Sequence, residues 1–284
     1  MSARLLNGEA IAKDIRKDIA AEIRGRALRG HQPPRLAVIL VGDNPASKLY
    51  VRLKRRDCER VGMTCDVREL PETITEAELA GMVIELNRNA KVDGILIQLP
   101  LPRHISANNV VQLMDPKKDV DGVSPSSIGL LALREPGYRC CTPKGVMTLL
   151  ASTGESLLGK DACVIGASNH VGRPMGLELL QVGCTVTTAH KYSRDARAHA
   201  SRADILVSAT GIAGLVTKDW VKPGAIVVDV GIEQQRDGRI RGDVEFEEVA
   251  KVASWITPVP GGVGPMTRVS VLENVMDSVI NRDA

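Results

Sequence analysis

Val164-Ile-Gly-Ala-Ser-Asn-His-Val-Gly-Arg-Pro-Met-Gly176 decides the fold. It follows the apolar run Ala162–Ile165 and opens a stretch of helical periodicity from about Val171 to Gln181, so it reads as strand, loop and helix. Gly166, Gly172 and Gly176 allow a tight turn and close backbone approach, and the helix N-terminus behind them favours negative charge. Ser168 breaks the strict G-x-G-x-x-G spacing. Two readings follow: a dinucleotide loop, or a structural glycine turn.

The residues downstream favour the first reading. Strands are expected at 184–188, 205–208 and 225–230, which makes this half a Rossmann-type α/β unit. Ser208-Ala-Thr-Gly211 and Asp229-Val-Gly-Ile232 then fall at strand C-termini, where open α/β sheets bind ligands. An NAD site presents an acid roughly 20 residues after the glycine loop. The segment Thr188-Ala-His-Lys-Tyr-Ser-Arg194 offers His190, Lys191 and Arg194 instead. Cations there suit a 2′-phosphate and point to NADP; a solvated basic loop is the other reading.

Upstream of Thr142 the pattern is also α/β. Ile11, Ile15, Ile19 and Ile23 recur four apart in a helix over about 8–29, and Arg35–Val41 reads as a buried strand. Asn44 caps a helix that starts at Pro45 and runs to about Val61. A strand over 64–70, a helix over 75–89, a strand over 94–99 and a short helix over 106–114 complete the series. The chain is therefore expected to form two α/β domains divided near 135–142: residues 1–140, completed by a C-terminal helix at 266–284, and residues 141–265.

Composition narrows the function. The chain has 284 residues, a net charge of +3 and only 2% aromatic residues, so it lacks both the basic surface and the stacking platforms of a nucleic-acid binder. No apolar run is long enough to span a bilayer, and the opening residues lack the pattern of a secretory signal. The six cysteines form no C-x-x-C pair, which argues for reduced thiols in a cytoplasmic protein and against a metal site.

In the first half, Tyr50 and Lys54 stand four apart on one helical face. A helical lysine is ordinarily a solvated residue. Here the helix follows a strand whose C-terminal end faces a ligand crevice, and Gln98 ends another strand in apolar surroundings. Gln98 is thus either a satisfied core amide or a partner for a buried lysine.

Several segments carry a resemblance. They are Tyr50-Val-Arg-Leu-Lys54, Asp93-Gly-Ile-Leu-Ile-Gln-Leu-Pro-Leu-Pro102, Lys118-Asp-Val-Asp-Gly122, Cys141-Thr-Pro143, Gly166–Met175 and Pro258-Val-Pro-Gly-Gly-Val-Gly-Pro-Met-Thr267. In order and nearly end to end, the chain resembles the bifunctional methylenetetrahydrofolate dehydrogenase/cyclohydrolase family. The resemblance implies NADP-dependent oxidation of methylenetetrahydrofolate and hydrolysis of the methenyl product, within one-carbon metabolism and purine biosynthesis. It implies an active site in the cleft between a folate-binding catalytic domain and the nucleotide domain, and a homodimer. Lys54 is then the acid/base residue, Gln98 orients it and helps keep it neutral, and Tyr50 lies against the folate ring. Asp121 accepts hydrogen bonds from the pterin; on residues alone, Asp121-Gly122 is a simple turn. Leu99, Pro260, Gly261, Gly262 and Gly264 complete the substrate site. Gly166, Ala167, Ser168, Val171, Gly172, Arg173, Pro174, His190, Lys191 and Ile232 would hold the cofactor.

The sequence departs from the family at Ala167, where arginine is usual, which leaves the NADP preference on His190, Lys191 and Arg194. Cys140 also replaces a usual proline. The rival readings are another two-domain dehydrogenase, acting on shikimate or an amino acid, and a non-catalytic folate- or nucleotide-binding regulator.

Overall fold

The computed structural model describes residues 2–234 and 238–283. In chain order its elements are β1 (Arg4–Leu5), α1 (Gly8–Leu28), β2 (Arg35–Val41), α2 (Pro45–Val61), β3 (Thr64–Leu70), α3 (Glu76–Arg88), β4 (Gly94–Ile97), α4 (Ala107–Val111), α5 (Pro125–Leu133) and α6 (Cys141–Ala151). There follow β5 (Asp161–Ile165), α7 (Gly172–Gln181), β6 (Thr185–Ala189), α8 (Ala196–Ala200), β7 (Ile205–Ser208), β8 (Ile226–Asp229), β9 (Glu233–Gln234), β10 (Ile240–Arg241), α9 (Phe246–Val249), β11 (Trp255–Ile256) and α10 (Val263–Asp283). The strands and helices form two units, both α/β. One comprises residues 13–141 and 268–284, the other residues 1–12 and 142–267.

The first unit is built on a three-stranded parallel sheet, β3-β2-β4. β2 is central and is buried over Leu36–Val41 because both its faces are covered, which accounts for its unbroken apolar run. Leu79, Val83 and Leu86 of α3 cover one face together with Val110 and Val111. Thr75 and Glu78 cap α3 reciprocally, each side chain meeting the other's backbone N–H. The sheet places Ile97 level with Ile39, so β4 stops one residue before Gln98.

The second unit is built on a six-stranded sheet in the order β1-β11-β8-β7-β5-β6, all neighbours parallel. Residues 2–12 were expected with the folate domain, yet they fall in this unit. The reason is long-range pairing: Arg4 and Leu5 register with Trp255 and Ile256. Both tryptophans, Trp220 and Trp255, are also here; Arg4 lies 4.1 Å from the Trp255 ring centroid, and the indole N–H donates to Glu155 at 3.0 Å. The register brings β6, β5, β7 and β8 to a common end, since Ile165 is level with both Ala189 and Ser208, and Ser208 with Asp229. The loops that follow these residues therefore leave from one edge of the sheet.

Candidate active site

Helix α2 delivers the reactive groups of the first unit. Its start is fixed by Asn44, whose side-chain oxygen accepts from Ser47 N at 3.0 Å, with Pro45 at the first helical position. Its end is fixed by Gly62 in the left-handed region, whose N–H reaches the Cys58 and Glu59 carbonyls. Between these stops, Val51, Lys54, Asp57, Cys58 and Val61 point inward. Lys54 is only 7% exposed, so it is not the solvated lysine of an ordinary helix surface. Tyr50 is half-buried one turn earlier, and burial pushes its phenol upward against the opposing charge of Arg268.

Lys54 Nζ donates to Gln98 Oε1 at 3.0 Å. The Gln98 Nε2 donates in turn to the Leu99 carbonyl at 2.9 Å, and that carbonyl can only accept, so the amide is oriented with its oxygen toward the lysine. The Gln98 backbone is anchored as well, its N–H donating to Ile39 O at 2.8 Å. Burial lowers the Lys54 pKa below the ordinary 10.5, and the negative charge of Asp121 opposes that shift. This differs from the sequence reading in one respect. Burial pushes the lysine toward neutrality, whereas Gln98, a neutral acceptor, aims the amine.

Asp121 sits in a turn built by its neighbour Asp119, which is fully buried. The Asp119 carboxylate accepts from Gly122 N at 3.1 Å, Val123 N at 3.3 Å, Ser124 N at 2.8 Å and Ser127 Oγ at 2.6 Å. The turn is thus over-determined, and Asp121 is carried on it with its carbonyl accepting from Cys141 N at 3.2 Å. The thiols of Cys140 and Cys141 also donate here, to the Gly122 and Val120 carbonyls, which gives Cys140 a local structural place. Behind Lys54 on the same helix, Asp57 is 1% exposed and accepts from Arg268 Nε at 2.7 Å, with Arg16 and Arg60 nearby at 3.8 and 3.6 Å. Asp119, Asp57 and Arg268 were not singled out from sequence. The only local signal was at Asp119, an acid three residues before a glycine and five before the Ser124-Pro125 helix start.

The nucleotide elements lie in the second unit. Gly166, in the left-handed region at φ +115, and Gly172 pass so closely that a Cβ on Gly172 would lie 2.0 Å from the Gly166 carbonyl oxygen. No other residue fits at 172 without moving the loop. Ser168 Oγ accepts from Val171 N at 3.2 Å and Gly172 N at 3.4 Å, and Arg173 Nε donates to Ala167 O at 3.1 Å. Pro174 and Met175 are buried as α7 begins. This backbone cradle at a helix N-terminus fits a pyrophosphate. At the end of β6, His190, Lys191 and Arg194 are exposed, and Lys191 Nζ lies 4.9 Å over the Tyr192 ring. Ile232 is 42% exposed beyond the end of β8.

Pro260, Gly261, Gly262 and Gly264 also belong to the second unit, whereas Tyr50, Lys54, Gln98, Leu99 and Asp121 belong to the first. Within its own unit Gly262 has a packing role: a Cβ on Gly8 would meet its carbonyl oxygen at 1.9 Å, and Gly261 O accepts from Glu9 N at 3.0 Å. No group of His, Cys, Asp and Glu able to hold a metal occurs among the described residues.

Comparison with known proteins gives these two sites a family. Residues 6–121 match the tetrahydrofolate dehydrogenase/cyclohydrolase catalytic domain, and residues 140–283 match the NAD(P)-binding domain of the same proteins. The chain belongs to the tetrahydrofolate dehydrogenase/cyclohydrolase family. Among solved structures, the bifunctional methylenetetrahydrofolate dehydrogenase/cyclohydrolase from Campylobacter jejuni is 46% identical, covering 99% of this chain and 100% of its own, with a TM-score of 0.96. The Trypanosoma brucei methylenetetrahydrofolate dehydrogenase-cyclohydrolase, solved with NADP and an inhibitor, is 36% identical over 100% of this chain and 99% of its own, at a TM-score of 0.94. The chain is thus a bifunctional enzyme of this family, with dehydrogenase and cyclohydrolase activities and an NAD(P)-binding domain. Shikimate dehydrogenase from Aquifex aeolicus, a representative of the rival reading, shares only the fold, at 14% identity over 87% of this chain and a TM-score of 0.53.

Proposed function

We propose that this enzyme oxidises 5,10-methylenetetrahydrofolate with NADP and hydrolyses the 5,10-methenyl product to 10-formyltetrahydrofolate, with Lys54 as the acid/base group. The observation that carries the reading is the buried Lys54 amine, 3.0 Å from an amide oxygen that the Leu99 carbonyl holds in place. Bound NADP supplies a hydride acceptor, and the chemistry of that transfer belongs to the cofactor. The loop 166–174 would hold its pyrophosphate, His190 and Lys191 the 2′-phosphate, and Ile232 an apolar part. The absence of an acid at the end of β6 supports NADP over NAD.

The hydrolytic step falls to the chain's own residues. Water adds to the electrophilic methenyl carbon, and neutral Lys54 takes the proton that is released as the C–O bond forms. The C–N5 bond then breaks, N5 gains a proton and the hydroxyl loses one, leaving the formyl group on N10 and one proton released overall. Gln98 keeps the amine aimed through this exchange, and Tyr50 and Leu99 would flank the folate. Asp121 would accept from the pterin N–H groups, and Pro260, Gly261, Gly262 and Gly264 would present backbone to it. With the family resemblance comes a homodimeric, cytoplasmic enzyme supplying one-carbon units for purine synthesis; light scattering tests the dimer.

The test is the initial rate of methylenetetrahydrofolate oxidation with NADP and with NAD, with methenyl absorbance followed in the same cuvette. NADP reduction with little methenyl accumulation supports the reading. Preference for NAD means that Ala167 decides the cofactor, and no turnover with either removes the assignment.

A further inference from the structure

Asp243 is buried at 1% exposure, and the dinucleotide reading gives it no role. It follows β10, which pairs antiparallel with β9, on the stretch of chain between β8 and α9. Its Oδ2 accepts from Ser208 Oγ at 2.8 Å, Thr210 N at 2.7 Å and Thr210 Oγ1 at 2.9 Å, and its Oδ1 accepts from Ile212 N at 3.1 Å. Its backbone is tied to the same loop, since Val216 N donates to Asp243 O at 2.9 Å and Gly214 N to Gly242 O at 3.1 Å. One carboxylate therefore closes the whole turn that follows β7.

A second buried acid holds Asp243 itself. Asp229 Oδ1 accepts from Asp243 N at 3.0 Å and Gly231 N at 2.9 Å, and its Oδ2 accepts from Val244 N at 2.9 Å. The fit leaves no slack, because a Cβ on Gly231 would lie 2.0 Å from Asp243 Oδ1. Asp243 thus links the turn after β7 to the turn after β8. Both leave the sheet on the opposite side of the Gly166 loop from β6 and its basic loop. A doubly wound sheet binds one mononucleotide half on each side of such a loop. The cations at β6 assign the 2′-phosphoadenosine half to that side, leaving the nicotinamide half to the turns braced by Asp243.

We infer that Asp243 is a positioning residue for the nicotinamide half of the dinucleotide: it shapes the 208–212 and 230–232 turns and leaves the adenosine half alone. The inference rests on the dinucleotide reading of the 166–174 loop. An asparagine at 243 keeps the size but must turn an N–H₂ toward one of the backbone donors, which unmakes part of the turn.

The test compares the wild-type enzyme with Asp243→Asn for binding of NADP and of adenosine 2′,5′-bisphosphate, which lacks the nicotinamide half. Retained adenosine 2′,5′-bisphosphate binding reports that the unit carrying Asp243 is folded, and cyclohydrolase turnover of methenyltetrahydrofolate reports the same for the unit carrying Lys54. The expected result is NADP binding weakened by about tenfold or more, with adenosine 2′,5′-bisphosphate binding and cyclohydrolase turnover unchanged. Unchanged NADP binding overturns the inference, and so does equal weakening of both ligands, which marks a general structural role. Failure of the wild-type enzyme to bind adenosine 2′,5′-bisphosphate would instead strike the dinucleotide reading. If Asp243→Asn does not fold, Ser208→Ala and Thr210→Val remove the same carboxylate's partners from the other side and are read by the same pair of ligands.

Discussion

Lys54 Nζ faces the oxygen of Gln98 and not its nitrogen, because the Leu99 carbonyl claims the amide N–H at 2.9 Å. An oxygen at that position accepts a proton-bearing face of the amine and fixes where the rest of the group points. Glutamate has nearly the same shape but carries a charge, and it would favour the ammonium form. Gln98→Glu is therefore expected to slow cyclohydrolase turnover by about tenfold to a hundredfold near neutral pH and to move the acid limb of its pH profile upward. A profile unchanged in position, measured on methenyltetrahydrofolate, would show that a charge at position 98 does not act on the lysine.

Lys54→Met is expected to abolish hydrolysis, a loss of about a hundredfold or more, while the first unit remains folded because methionine fills a similar volume without a charge. Single-turnover disappearance of the methenyl absorbance reads this directly, and full hydrolysis in the variant would remove Lys54 from its assigned role.

The same lysine has a pH signature in stability. Burial lowers its folded-state pKa, so between that lowered value and 10.5 the unfolded chain binds more protons than the folded one. Stability drawn from this group therefore rises with pH across that window, and the burial cost is fully present below it. In Lys54→Met this contribution disappears: the variant should gain most over wild type at low pH, with the gap closing toward 10.5. Urea midpoints at a series of pH values check the sign.

Asp57 is expected to matter for folding more than for chemistry. Replacing it by alanine leaves the buried guanidiniums of Arg16 and Arg268 without their carboxylate, at a cost of about 3–5 kcal/mol. Asp57→Ala should lower the urea midpoint sharply; a midpoint within experimental error of wild type would mean that this carboxylate does not hold the two arginines in place.

His190→Ala combined with Lys191→Ala is expected to raise KM for NADP by about tenfold and leave KM for NAD unchanged, because only NADP carries the 2′-phosphate. The NADP effect should shrink as salt rises, since both side chains are exposed. Equal changes for the two cofactors would make the loop a general structural element.

What could be read from sequence followed physical lines. β2 and β5 announce themselves because strands covered on both faces need unbroken apolar runs, and α2 carries its own start signal in Asn44-Pro45. The same kind of signal, Ser124-Pro125, opens α5, a helix the periodicity did not reveal because it is apolar nearly all round. β1 and β11 were invisible for a different reason. Each has two residues, and their pairing joins positions about 250 residues apart, which no local pattern can encode. Lys54 and Gln98 were recognisable as reactive residue types, but the direction of the amide depends on the Leu99 carbonyl, a backbone group. Asp119 and Asp243 were not singled out from sequence, because what sets them apart is their burial and their hydrogen-bond partners.

Trp220 and Trp255 both lie in the unit that carries the glycine loop, and the unit that carries Lys54 has none. Intrinsic indole emission is therefore a natural reporter of one half of the molecule and is blind to the other. A denaturation followed by that emission and by far-ultraviolet ellipticity watches one unit in the first trace and both in the second. If the traces superimpose, the halves melt as a single cooperative body; if they part, the order of melting can be read without any added label.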